Sequence, residues 1–337
     1  PTLCLSVAAA LGADTAAALP GAAAIELLHN AFLIHDDVED GSRSRRGGPT
    51  LHEIHGVPTA VNVADGMFAL SLYPLLDNCE HLGIGPALAL IESMADMVRI
   101  TVEGQAIELA WIRDNRWDFG DVGYRDAYVD LVIRKTAHYS FVTPATVGCI
   151  VAAAEPALRH ALERYAKALG VAFQITDDIL NLEGDEDAYG KERDGDLWEG
   201  KRTLILMHAI AREGPTPARE RALRILSRPR PAPASPAARH MLATLERLLT
   251  EGRVAAEVHA ELVAAAQCEG LAKSDADIEF LRDLIRVHDS VEAARHVAVE
   301  HCELARDILH GIQRSLRAGA ASTFLRDLVA YVTDRLA

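Results

Sequence analysis

Apolar positions recur with a helical period along nearly all of this chain. Ala24, Leu27, Leu28, Ala31 and Ile34 follow one another at three- and four-residue intervals, and Ala168, Leu169, Ala172 and Ile175 repeat the pattern far downstream. Residues so spaced share one face of a helix. Alternating β-branched runs are few, and alanine and leucine dominate, so the pattern predicts an all-α protein built as a helical bundle. At 337 residues the chain has room for one large domain or two. One domain over 1–337 is expected, because both apolar stripes end in acidic runs that must converge. The clearest break is Arg228-Pro229-Arg230-Pro231-Ala232-Pro233-Ala234-Ser235-Pro236, where alternating prolines forbid a helix. It reads as an exposed interhelical loop, and no internal repeat is visible beyond the duplicated acidic spacing.

The acidic runs are Asp36-Asp37-Val38-Glu39-Asp40 and Asp177-Asp178-Ile179-Leu180-Asn181. Asp36 and Asp40 are four residues apart, so a helix through them projects its carboxylates from one end of a single stripe. Asp177, Asp178 and Asn181 repeat this spacing. Carboxylates on apolar helices cannot be buried unpaired without a large cost. Magnesium relieves that cost, because it takes carboxylate oxygens, keeps some waters and favours phosphate oxygens as its remaining ligands. Basic residues follow each run. Arg43-Ser44-Arg45-Arg46-Gly47-Gly48-Pro49 places arginines on a loop, with Gly-Gly-Pro expected to end the helix. An arginine fork grips phosphate oxygens in pairs. Lys135-Thr136 falls in a helical segment, Gln174 sits one turn before Asp177, and Lys191 and Lys201 lie in a glycine-rich stretch. One such run alone would read as a solvated helix end. Two of matched spacing with these basic partners, in a chain of net charge −15, point to an anionic ligand bridged by metal.

With these residues in order, the sequence resembles the trans-type polyprenyl diphosphate synthases, and among them the geranylgeranyl diphosphate synthases. The resemblance runs through His29 with Asp36–Asp40, Arg45-Arg46-Gly47, Gly104-Gln105, Lys135-Thr136-Ala137, Phe173-Gln174, Asp177-Asp178, Gly190-Lys191, Gly195-Asp196-Leu197 and Gly200-Lys201-Arg202-Thr203. It implies an isoprenoid-synthase bundle around a deep central cavity, and a homodimer. It also implies that Asp36, Asp37, Asp40, Asp177 and Asp178 hold three magnesium ions with the bound diphosphate. Arg45, Lys135, Lys191 and Lys201 would contact the allylic diphosphate, and His29 and Arg46 would seat isopentenyl diphosphate. Thr136 and Gln174 would turn oxygen dipoles toward the developing carbocation. The implied reaction is chain elongation, in which isopentenyl diphosphate condenses with an allylic diphosphate.

One helical turn rises about 5.4 Å, so residues one turn before Asp36 could floor the product pocket. Phe32 beside the small Ala31 suggests a partial floor and a C20 product, with C15 or a longer chain as alternatives. Asn181 departs from the family pattern, which often has a third aspartate there. An amide oxygen still accepts hydrogen bonds, and activity is expected to survive. The natural chain is expected to begin upstream of Pro1, where relatives carry a lysine and an arginine for isopentenyl diphosphate. A class I terpene cyclase and a non-catalytic regulatory subunit of another synthase are the competing readings. Asp177-Asp178 with the Gly-Lys repeats argues against the first, and the retained aspartate pairs argue against the second.

Cys4, Cys79, Cys149, Cys268 and Cys302 show no metal spacing and fit a reducing cytoplasm. No apolar run is seen that approaches the roughly 18 residues of a membrane span, and no stable membrane anchor is expected. The acidic balance argues against nucleic acid as a partner. Trp111–Trp117 reads as a helix end with packed tryptophans and solvated charges. The histidines, His35 and His138 included, lack zinc-ligand spacing.

Overall fold

The computed structural model describes residues 1–120, 123–184, 193–230, 236–266 and 272–335. The fold is all-α. Among the described residues the only strands are the two-residue pair Ser44–Arg45 and Gly48–Pro49. The first helices are α1 (Thr2–Leu11), α2 (Thr15–Asp40), α3 (Leu51–His55), α4 (Val57–Leu70), α5 (Leu72–Leu82) and α6 (Ile84–Arg113). They are followed by α7 (Gly123–Val132), a π-helical stretch (Ile133–Val142), α8 (Thr143–Val151) and α9 (Pro156–Glu183). Shorter helices from Gly195 onward lead to Ser290–Ile312 and Ala320–Asp334.

Local sequence explains the two helices that matter most. Asp14 caps α2 by accepting the Ala16 N–H at 3.0 Å. Gly41, at φ 64°, ends α2 and returns its N–H to the Asp37 carbonyl. The helix therefore stops six residues earlier than Gly47-Gly48-Pro49, which had been expected to end it. Those glycines instead close a hairpin whose turn residues, Arg46 (φ 54°) and Gly47 (φ 76°), both have positive φ. Helix α9 opens with Pro156 in its first turn and runs to Glu183.

The π-helical stretch lies between α2, α6 and α9 and carries Lys135 and Thr136. Pro144 follows it and has no N–H to give back along the helix, so the register of the preceding turns is free to widen. Its neighbours come very close. A Cβ at Gly104 would lie 2.5 Å from the Lys135 backbone nitrogen, and one at Gly170 would lie 2.5 Å from the Ala137 Cβ. Only glycine permits these approaches of α6 and α9. Helix α9 packs mainly on this stretch and on Ser290–Ile312, placing the second acidic run opposite the first.

Two helical stretches, Thr15–Asp40 and Val57–Leu82, are long and apolar enough by composition to cross a membrane. This corrects the expectation that no such run exists. Alanine, glycine and leucine with few charges reach that apolarity without forming an unbroken run. Helix α2 packs among α1, α4, α5 and α8 as a core helix, whereas only 22% of the apolar window in Val57–Leu82 is buried.

Candidate active site

The first acidic run occupies the last two turns of α2. Carboxylates there face the negative end of the helix dipole and need compensation. Cations supply it. Arg45, carried by the hairpin, donates its Nε to Asp37 Oδ1 at 2.7 Å and stands 3.4 Å from Asp36 Oδ2. Lys135 Nζ lies 3.3 Å from Asp36 Oδ1 and also pairs with the buried Glu108. Lys201 Nζ lies 2.9 Å from Asp40 Oδ2, 3.0 Å from Glu199 Oε2 and 3.6 Å from Asp196 Oδ1. Burial would raise the Asp36 pKa, but Lys135, Lys201 and Arg45 together outweigh it and hold this carboxyl well below the usual range. Asp40 goes the other way. Burial, with Asp36 and Glu199 nearby, pushes it up to about 7 against the pull of Lys201 and Lys135.

The second run is held differently. Asp178 accepts a hydrogen bond from the Tyr128 hydroxyl at 2.6 Å and another from Gln174 Nε2 at 2.8 Å. Thr136 Oγ1 in turn donates to Gln174 Oε1 at 2.9 Å, so the two residues form one chain across the π-helix and α9. Burial and the neighbouring Asp196 push Asp178 up to about 8 despite those donors. Asn181 Oδ1 accepts the Asp196 N–H at 3.1 Å, and its carbonyl accepts the Asp194 N–H at 3.0 Å. It thereby fastens the segment that carries Asp196, Glu199 and Lys201 to α9.

Both runs open on one cavity of about 660 Å³. Asp36, Lys135, Thr136, Gln174, Asp177, Asp178 and Lys201 line its polar end, with Arg45 and Arg46 at the hairpin side. Phe32, Leu33, Val102, Leu109, Leu131 and Phe141 form an apolar wall of it. Asp40 Oδ2 and Glu199 Oε2 are buried and accept no aligned hydrogen bond, although Lys201 neutralises them by charge. Buried carboxylate oxygens with unused lone pairs are ligands for a hard divalent cation such as magnesium. Among the described residues no three acids or imidazoles already form a cation cage, since lysines stand between them. The donor set therefore fits a cation that arrives with phosphate oxygens of its own.

The polyprenyl synthetase family model matches residues 1–236. This chain belongs to the polyprenyl synthetase family. A short chain isoprenyl diphosphate synthase of Methanothermobacter thermautotrophicus is 35% identical over 227 residues, which is 67% of this chain and 66% of that protein. A geranylgeranyl diphosphate synthase of Saccharolobus solfataricus is 32% identical over 211 residues, 63% of this chain and 61% of the relative. The matches thus span less than two thirds of these curated relatives. The crystal structure of a polyprenyl synthase from Caulobacter crescentus, complexed with calcium and isoprenyl diphosphate, superposes with a TM-score of 0.72 at 26% identity. That superposition covers 99% of this chain and 84% of the other. Over the described residues the fold is that of the polyprenyl synthases.

Against this family background, most of the residues singled out from sequence share the cavity. His29 lines it, tilted against Tyr139 at 5.3 Å, and burial lowers its pKa. Phe32 lines it beside the same tyrosine at 5.8 Å. Ala31, in contrast, is wholly buried and is not among the lining residues, because its Cβ points one position round α2 from Phe32. Asp37 is likewise turned from the cavity and committed to Arg45. Lys191 lies outside the described residues, as do Gly190, Cys268 and 231–235 of the proline-rich stretch. Three side chains of the site escaped sequence reading: Glu108, Tyr128 and Glu199, whereas Asp196 lies in Gly195-Asp196-Leu197, one of the stretches that carry the resemblance. Glu108 lies three residues beyond Gly104-Gln105 and nearly one helical turn on, a signal that was present and unused. Arg230, from the proline-rich stretch, also lines the cavity, 3.9 Å from Glu199.

Proposed function

We propose that this protein is a magnesium-dependent trans-prenyltransferase that condenses isopentenyl diphosphate with an allylic diphosphate, giving geranylgeranyl diphosphate. One observation carries the reading: two acidic helix ends and the lysines between them share one cavity that also has an apolar wall. Asp36, Asp177 and Asp178, which line the cavity, would hold the magnesium, with Asp40 behind them beside Lys201. When bound, the metal would supply Lewis-acid neutralisation of the leaving diphosphate. Lys135, Lys201 and Arg45 are cations fixed beside that position, able to meet charge that grows as the allylic C–O bond breaks. The double bond of isopentenyl diphosphate then forms the new C–C bond, and the proton lost from the adduct goes to the departing diphosphate. Thr136 and Gln174 keep oxygen dipoles at the polar end, while Phe32, Leu33 and Phe141 exclude water from the cation.

The Phe32–Tyr139 pair narrows the wall one turn before Asp36, which favours C15 as the second reading of product length. A homodimer is supported by Leu72, Tyr73, Leu76, Ile84 and Leu88, which are exposed on α5 and α6 of a stretch that a second copy could cover. Cys4, Cys79, Cys149 and Cys302 are free thiols, in keeping with a cytoplasmic enzyme whose helices form one catalytic domain. The test is incubation with isopentenyl diphosphate, magnesium and dimethylallyl, geranyl or farnesyl diphosphate, followed by mass spectrometry. Linear C20 product supports the proposal. A cyclic hydrocarbon formed without isopentenyl diphosphate, or no product at all, overturns it. Phe32→Ala should lengthen the product by at least one isoprene unit, and an unchanged distribution removes Phe32 from the floor.

A further inference from the structure

Arg202 is 1% exposed, and no carboxylate lies within ion-pair distance of it among the described residues. A buried guanidinium without a counter-charge is costly unless its donors are met by other acceptors. Here they are. Its NH1 donates to the Gly200 carbonyl at 2.6 Å, NH2 to Asn115 Oδ1 at 3.0 Å and Nε to the Arg116 carbonyl at 3.4 Å. The guanidinium also lies over the Trp117 ring, 4.5 Å from its centroid. The acceptor is itself held. Asn115 has positive φ (45°), accepts the Trp117 indole N–H on the same oxygen at 2.8 Å and donates to the Leu223 carbonyl at 3.2 Å.

The bond to Gly200 matters because Lys201 is the next residue. Gly200 sits at φ 74°, and a Cβ there would meet the Leu226 carbonyl and Lys273 Nζ, each at 3.3 Å. The Lys201 N–H is tied to the Asp196 carbonyl at 2.9 Å, and Thr203 caps the following helix. With both neighbours fixed, the Lys201 side chain reaches the space between Asp40 and Glu199. We infer that Arg202, seated in the Asn115–Trp117 turn at the end of α6, is a positioning residue that sets where the Lys201 ammonium meets the diphosphate. Arg202 borders the cavity, but its aligned donors are given to Gly200, Asn115 and Arg116, so it acts through Lys201 and not by a bond to the ligand. The inference rests on the function proposed above for the role of Lys201.

The experiment is a double-mutant cycle of Arg202→Met and Lys201→Met, read by calorimetric affinity for inorganic pyrophosphate with magnesium and by kcat and KM for the allylic diphosphate. Coupled neighbours lose additivity, so Arg202→Met should weaken pyrophosphate about tenfold in the wild-type background and less than about twofold when Lys201 is already Met. Arg202→Lys, which retains the charge but not the three-way fork, should fall between. Equal losses in both backgrounds overturn the inference. Should Arg202→Met fail to fold by circular dichroism, Asn115→Ala takes its place in the same cycle with the same outcomes. A wild-type enzyme without prenyl product would sink the proposed function alone, since the pyrophosphate cycle reads the positioning role independently.

Discussion

The two acidic helix ends have nearly the same sequence spacing and opposite electrostatic solutions. At the end of α2 the carboxylates are met by full charges, from Arg45, Lys135 and Lys201, and Asp36 is held as an anion. At the end of α9, Asp178 is met by a phenol and an amide, and its carboxyl is pushed up to about 8. Neutral donors stabilise a buried carboxylate less than cations do, so Asp178 holds its proton more tightly than Asp36 does. Asp36 is thus paired by the chain's own cations before any ligand arrives, whereas Asp178 at the second wall, like Asp40 at the first, is pushed toward its neutral form by burial.

The largest effects should come from removing the anions that would face the metal. Asp36→Ala and Asp177→Ala should each lower elongation by about 10²–10³-fold, the scale of losing one preorganised electrostatic group, measured with saturating substrates. Near-normal turnover in either variant would end the assignment of that wall. Lys135→Met tests the internal balance of the first wall. It strands the buried Glu108 and Asp36, and breaking such a pair should cost about 3 kcal/mol of unfolding free energy in denaturant titration. Adding Glu108→Gln should restore much of that stability without restoring activity, because the stranded charge is gone while the cation beside the diphosphate is still missing.

The α2 wall was legible from sequence, and much of what completes the α9 wall was not. Helical period and the one-face spacing of Asp36 and Asp40 follow from local geometry, which periodicity records. So does the meeting of Lys135 with the first run, once its motif is read. Tyr128 reaches Asp178 across 50 residues of chain, and nothing in the local pattern marks a half-apolar side chain as the partner of a distant acid. Glu199 looks like an ordinary surface acid until Asn181 fastens its segment to α9. The stop of α2 at Gly41 was missed because three glycines compete within eight residues, and with Gly41 and Gly47 both at positive φ only cap geometry tells which one ends the helix.

The raised Asp178 makes a smaller, pH-dependent prediction for metal-free protein. Its folded pKa of about 8 lies above the ordinary value of 3.8, so between those values the native state binds more protons than the unfolded chain. Stability should therefore fall as pH rises from about 4 to about 8. Asp178→Asn should flatten that slope, and magnesium with pyrophosphate should oppose it by favouring the anion. Thermal unfolding at pH 5 and pH 8, in wild type and variant, checks this. A slope that is the same in both proteins would place the titrating group elsewhere.

Asn181→Asp should have the smallest effect and discriminates most finely between the walls. The family pattern puts a carboxylate here, whereas in this chain the amide oxygen receives the Asp196 N–H at 3.1 Å. A carboxylate oxygen would keep that bond, so the segment bearing Lys201 should stay in place and the fold should be undisturbed. The second oxygen, however, would replace an NH2 group one turn from Asp178, adding a negative charge beside a carboxyl that burial and Asp196 already disfavour as an anion. Without metal the variant should be less stable, by about 1 kcal/mol for one more poorly compensated buried polar charge that can still protonate. With magnesium the same charge becomes a ligand, and half-saturation should move to lower concentration by about threefold, which is under 1 kcal/mol. Opposite signs in the two conditions mark a wall that depends on its ligand. A variant that is destabilised equally with and without magnesium would show that Asn181 is only a fastener for the 194–201 segment.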